Sequence, residues 1–329
     1  MRYLRLTILP LALGLGLALL LAVGWLGAPG GDVVDLLIYL LKGSLALAMG
    51  YLFYRWVLRR HTHFQLNRWV LLLQMGLVFL LPVVQLPYAW HPLAQPLPFS
   101  DALVENAPKM TQEAPSPVGF ATLAPDKRDA PFDLLAAAAI LYGAGLLFFL
   151  ARLSMQFFSL ARLRQRAALI EKHPGYDLVW CKAQVAPFSF FKQIFLPQEG
   201  LDAEAVSQIV QHEQIHIDKK HSWDILLAEI LIAAFWFNPF AWLYRRATEA
   251  NLEFLTDQIV LKSGLPKKSY MYQLLAISLP EWKGRLSINY KQSLLQKRIA
   301  MMNTQVSSAR SRWSYVVWLI TRTRRKAAS

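Results

Sequence analysis

The chain has 329 residues, 55% of them hydrophobic and 17% charged, yet it carries 35 Lys+Arg against 21 Asp+Glu, a formal net charge of +14. That much apolar bulk excludes a disordered chain, and its pairing with a cationic excess excludes an ordinary soluble domain. A single cysteine, Cys181, with no Cys/His cluster around it, excludes an intramolecular disulfide and a thiolate metal site.

Four apolar runs fill the first half, at residues 4–26, 36–58, 69–90 and 132–150. Each approaches the ~20 residues with which a helix crosses a bilayer. The first is either a retained span or a cleaved leader, because small residues cluster at 22–31; its length favours the span. Arg55, Arg59, Arg60 and Arg68 flank the second connection, and Arg152, Arg162, Arg164 and Arg166 follow the fourth run, which puts both places on the cytoplasmic side. Residues 91–131 hold five acidic against three basic residues and suit an external loop. The sequence therefore predicts a multi-pass protein of a bacterial inner membrane, with a membrane domain at 1–152 and the rest of the chain starting in the cytoplasm. Residues 152–329 hold 25 Lys+Arg against 13 Asp+Glu. These cations sit beside span ends, so they mark topology, and no direct nucleic-acid contact is expected.

After Arg166 the texture changes. Residues 177–181 and 189–196 read as short strands bounded by Pro174-Gly175, Pro187 and Pro197. Asp202 is a candidate N-cap for a helix running to about Lys220. A second helical stretch begins at Ser222 and a third at Pro239, with Asn238-Pro239 as the break.

The chemistry sits on the helix that starts at Asp202, at His212-Glu213-Gln214-Ile215-His216. Histidines at i and i+4 share a helical face and can bind one Zn(2+) ion, with the intervening Glu213 beside the water that the ion activates. A third ligand is required, and Glu249, Glu253 and Asp257 recur at one-turn intervals downstream. Glu253 is the choice, with Asp257 steadying a neighbouring ligand. The intervening residues 225–244 are apolar enough to be a span, yet a single crossing would put Glu253 ~30 Å from the histidines. A helical hairpin over 222–258, with Phe235-Trp236-Phe237 at its tip in or beside the bilayer, resolves this. The strand at 189–196 is a candidate wall for an extended peptide substrate. His221 beside two lysines reads as a surface histidine rather than an oxyanion donor. Ser189-Phe190-Phe191-Lys192, Ser287-Ile288-Asn289 and Lys262-Ser263-Gly264 imitate the motifs of penicillin-recognising serine enzymes, but their order is wrong and they interleave with the zinc ligands.

Taken together, His212-Glu213-x-x-His216, Asp224, Trp236-Phe237-Asn238-Pro239, Glu253-x-x-x-Asp257, Pro187-Phe188-Ser189-Phe190 and the segment Ser293 to Met302 resemble the BlaR/MecR-type antirepressor membrane metallopeptidases. The resemblance covers roughly residues 34–305. It implies a mainly α membrane protein whose cytoplasmic part, 153–309, is a gluzincin-like α+β zinc metallopeptidase domain. In it His212, His216 and Glu253 hold one zinc ion and Glu213 is the catalytic base. The implied partners are the lipid bilayer and a protein substrate of repressor type, or the chain itself; the oligomeric state, a dimer included, stays open. A catalytically silent signalling subunit with the same fold is the alternative, against which the intact Glu213 argues. Antibiotic-sensing members continue through a final span to an external penicillin-binding domain. Here Trp313 to Ile320 offers eight residues, ~12 Å of helix, so the basic tail 310–329 reads as an interfacial segment and β-lactam sensing is not expected.

Overall fold

A computed structural model describes residues 33–83, 134–183, 185–278, 285–305 and 307. The candidate first span 4–26, the loop 91–131, residues 84–90 of the third apolar run and the tail 310–329 lie outside the described residues. The described chain is mainly helical with one small sheet.

Helix α1, Val33–Phe53, widens into a π-helical finish at Tyr54–Leu58, so continuous helix covers the apolar run 36–58. Helix α2, Phe64–Leu80, starts five residues before the predicted 69, and its last turn becomes a 3-10 helix at Leu81–Val83. The early start has a physical reason. Asn67 and Arg68, which hydropathy reads as a water-facing end, are buried. Asn67 Nδ2 donates to the carbonyls of Leu58 and His61. Arg68 donates to both Asp224 oxygens, at 2.6 and 2.9 Å, and to the Lys219 carbonyl at 2.8 Å. Helix α3, Leu134–Gln165, overruns the predicted 132–150 and passes the expected domain boundary at 152/153 without a break. Two helical stretches, Val33–Leu58 and Leu134–Gln165, are long and apolar enough to cross a membrane, while Phe64–Leu80 is a shorter apolar helix.

Helix α3 feeds a four-stranded sheet in the order β1-β2-β4-β3: β1 Ala167–His173, β2 Tyr176–Cys181, β3 Phe188–Phe190 and β4 Gln193–Pro197. The sequence reading assigns no element to Ala167 to His173, which has no alternation to mark it as a strand. Gly175, at φ +101°, turns β1 into antiparallel β2. The predicted strand 189–196 is two strands, folded back antiparallel at Phe191 and Lys192. Phe191 takes a left-handed φ of +50°, and its N–H bonds Ser222 Oγ at 2.8 Å. Strand β4 then runs parallel to β2, burying Ile194, Phe195 and Leu196 completely.

Helix α4, Ala203–Asp218, is capped by Asp202, whose carboxylate accepts from the Ala205 N–H at 2.7 Å. Helices α5, His221–Ala234, and α6, Pro239–Lys262, form the expected hairpin. Asn238 caps α6 through the Phe240 N–H, and Pro239 occupies the first turn, where no N–H partner is needed. The hairpin tip packs among the apolar helices. Phe235 lies against Gly43 of α1 and Phe79 of α2; Trp236 lies against Gly145 and Phe149 of α3. A Cβ at Gly43 or Gly145 would fall 2.6 or 2.2 Å from those rings, so only glycine admits the tip. Helices α7, Lys267–Ser278, and α8, Arg285–Met302, close the described chain, and Ser307 exchanges hydrogen bonds with Thr62 in the α1–α2 turn.

The Arg68–Asp224 pair joins the apolar helices to the hairpin in a buried setting, so removing one partner strands the other charge. Arg68→Leu is expected to cost about 3–5 kcal/mol, read as a lowered thermal midpoint of the detergent-solubilised protein. An unchanged midpoint would remove the pair as a structural tie.

Candidate metal centre

Helix α4 presents His212 and His216 one turn apart, and α6 returns antiparallel to bring Glu253 opposite them. His212 Nε2 and His216 Nε2 are 3.2 Å apart. Glu253 Oε2 is 3.6 Å from His212 Nε2, and Oε1 is 3.6 Å from His216 Nε2. These three residues form a potential metal-holding group, the one such group among the described residues. The spacing can be tested against zinc. Ligands at ~2.0–2.2 Å in tetrahedral array stand about 3.3–3.6 Å from each other, and the approach of each histidine to the nearer Glu253 oxygen and to the other histidine lies close to that range.

The surrounding hydrogen bonds decide which ring nitrogens face the gap. Tyr270 Oη donates to Asp257 Oδ1 at 2.7 Å, since an ionised carboxylate only accepts. Burial, and then Asp257, push the Tyr270 hydroxyl far above its ordinary pKa, so it keeps that proton. The His212 Nδ1 contact, 2.8 Å from the same Oη, must then be donated by the ring. His212 therefore carries its proton on Nδ1 and points a lone pair from Nε2 into the gap. The donor set of two imidazoles and one carboxylate fits Zn(2+), whose catalytic sites take three protein ligands and keep a fourth position for water.

Glu253 is held ionised. Burial pushes its carboxyl up, but Arg298 and the two histidines together bring it well below the ordinary carboxylate range. Arg298, from α8, reaches Glu253 Oε2 at 2.8 Å and grips Asp257 with Nε and Nη2 at 2.9 and 2.6 Å. Burial would lower its own pKa, yet the two carboxylates raise it on balance, so the guanidinium stays charged. Asp257 thus stands behind His212 through Tyr270, an indirect support. Glu249, the remaining member of the acidic stripe, pairs with Arg245 at 2.9 Å and is not part of the group.

His221 corrects the expectation of a surface histidine. Its ring is buried, and its Nδ1 lies 2.9 Å from His216 Nδ1. The lysine pair before it ends α4 and carries the chain round at Lys220, φ +57°, which turns the His221 ring inward. Burial, and then the neighbouring His216 and Arg68, drive its pKa down to about 2, so it stays neutral and can accept a proton bond from His216. His221→Leu is therefore expected to weaken zinc binding about 10–100-fold in a chelator competition, with the fold intact; unchanged affinity would sink this role. Burial also lowers the pKa of His216, against the pull of Glu253.

Glu213 is half-buried on α4 between the histidines and acts electrostatically on His216. Tyr270 and Arg298 carried no predicted role, although Arg298 lies within the Ser293 to Met302 segment. The one sequence signal for Arg298 was a doubled acid, Glu253 and Asp257, on one helical face, which asks for a buried cation. Nothing local announces Tyr270, because its partners come from α4 and α6.

A family model described as BlaR1 peptidase M56 matches residues 52–302. No curated protein matches the chain.

Proposed function

Because the chain belongs to the BlaR1 peptidase M56 family, whose members are membrane metallopeptidases, we propose that it is an integral membrane zinc endopeptidase of the antirepressor type. It hydrolyses peptide bonds in a cytoplasmic or juxtamembrane protein, a transcriptional repressor or itself, as a step in signal transduction across a bacterial inner membrane. The observation that carries this reading is the group of three ligand atoms, from His212, His216 and Glu253, within 4.8 Å of one another, with the ring tautomer of His212 fixed from behind.

His212, His216 and Glu253 would hold the ion, which when bound polarises the scissile carbonyl and acidifies a water. Glu213 takes the proton of the attacking water and returns it to the leaving amine. Arg298 and Tyr270 keep Glu253 and His212 in place while charge develops. Edge strand β3, which has β4 on one side only, is a wall along which an extended substrate can add as a further strand. Metal analysis combined with incubation of a repressor-type substrate with wild type and Glu213→Gln tests the proposal. Stoichiometric zinc with cleavage by wild type alone supports it; full zinc without cleavage by either protein favours the silent signalling subunit.

A further inference from the structure

We propose that one girdle of exposed aromatic and basic side chains seats the described chain in the headgroup layer of a bilayer, and that the metal centre lies within that layer rather than in the aqueous space beyond it. The inference rests on the membrane reading above and assigns a depth to the site.

Hydrogen bonds and ion pairs fix the levels of five helices against one another. Glu229 of α5 meets both Arg245 of α6, through Nε at 2.5 Å, and Arg152 of α3 at 3.5 Å, so those three residues share a level. At a rise of ~1.5 Å per residue, Phe158 lies about 9 Å further along α3 and Trp223 about 9 Å back along α5. Both are exposed, at 52% and 43%. The Arg68–Asp224 pair then sets Trp69 beside Trp223, since each aromatic is the chain neighbour of one partner. The Asn67 bond to the Leu58 carbonyl sets Trp56 opposite Trp69. Trp69 is 59% exposed and Trp56 is 70% exposed. Four large aromatic side chains from four helices therefore stand uncovered at one level.

Two helices give the depth of that level independently. From Leu36, which follows Asp35, to Trp56 is about 30 Å of helix, and from Leu134, which follows Asp133 in the sequence, to Phe158 about 36 Å, enough for a ~30 Å hydrocarbon core and inside the ~40–45 Å that includes headgroups. Exposed cations follow the aromatics at the same short interval on three elements: Arg59 and Arg60 after Trp56, Arg162 after Phe158, and Lys219 and Lys220 before Trp223. Apolar, then aromatic, then basic is the order in which a bilayer interface sorts side chains, ending at lipid phosphate. Glu253 lies eight residues beyond Arg245, about 12 Å, which puts it only ~3 Å past the aromatic level. His221, bonded to His216, is two residues from Trp223. The ligands thus sit between the aromatics and the cations.

The test uses the full chain in vesicles of phosphatidylcholine and phosphatidylglycerol, in a Cys181→Ser background so that each introduced cysteine is the single thiol to be labelled. A bimane is attached at Trp69→Cys, Phe158→Cys or Trp223→Cys, at Leu41→Cys on the exposed face of α1, and at Glu199→Cys beyond the sheet. Nitroxide lipids labelled on the headgroup or at mid-chain serve as quenchers. The three girdle positions should lose fluorescence mainly to the headgroup nitroxide, position 41 mainly to the mid-chain one, and position 199 to neither. Quenching at 41 with none at 158 and 223 overturns the girdle while leaving the membrane reading intact; no quenching at 41 overturns both. Depth of the centre is read separately, by loading Co(II) and following quenching of a headgroup-attached fluorophore. Co(II)-dependent quenching that disappears in His212→Ala is expected, and its absence in a Co(II)-loaded wild type overturns the placement of the site.

Discussion

Glu213→Gln is expected to lower peptide hydrolysis by about 10²–10⁴-fold, the usual contribution of a positioned general base, while zinc content stays that of wild type. The separation follows from placement. Glu213 lies outside the three-residue ligand group, so exchanging its carboxylate for an amide leaves every proposed zinc contact in place. It flanks the histidines on the helical face and is close enough to act on His216. The amide keeps the size and hydrogen-bonding reach of the side chain but cannot take a proton from water, so the loss falls on kcat rather than KM. His212→Ala is the contrasting variant: it removes a ligand, and metal and turnover disappear together. If Glu213→Gln cleaved a substrate at the wild-type rate with full zinc, the base would have to be sought elsewhere.

How far the sequence carried each of these residues depended on the distance over which its partners act. His212, Glu213 and His216 were legible because their relation is one turn of one helix, and the period of that helix is written in the sequence. Glu253 was legible through the requirement for a third ligand and the hairpin at Asn238-Pro239, a break that proline enforces locally. The outer contacts were not. Arg298 reaches the centre from α8, 41 residues after Asp257, and Tyr270 bridges α4 and α6 from α7. Hydropathy failed for a related reason. It scored Arg68 and the start of α2 as facing water, whereas Asp224 neutralises that charge inside the protein. It also stopped α3 at the first arginine, Arg152, although Glu229 receives that charge and the helix runs on to Gln165. The β1 strand was hidden because Ala167 to His173 has no period of its own and becomes a strand through its register with β2.

Arg298→Met should lower the stability of the metal-free protein and weaken its hold on zinc as well. Arg298 is the cation shared by Glu253 and Asp257, and both carboxylates are held within hydrogen-bonding distance of it. Its removal leaves two anions facing one another in a buried site, a loss of about 3–5 kcal/mol for stranding charge of this kind. The released Glu253 also loses its orientation, which on its own weakens metal binding about 10–100-fold, or 1.4–2.7 kcal/mol. The two losses add in the zinc-loaded protein, so it should lose more stability than the apo protein, and the rise in thermal midpoint on adding zinc should be smaller in Arg298→Met than in wild type. Arg298→Lys separates charge from geometry: it restores most of the apo stability but not the two-pronged hold on Asp257, so metal affinity remains depressed. A variant whose apo and zinc-loaded midpoints fall equally would show that Arg298 acts only as packing, with no hold on the ligand carboxylate.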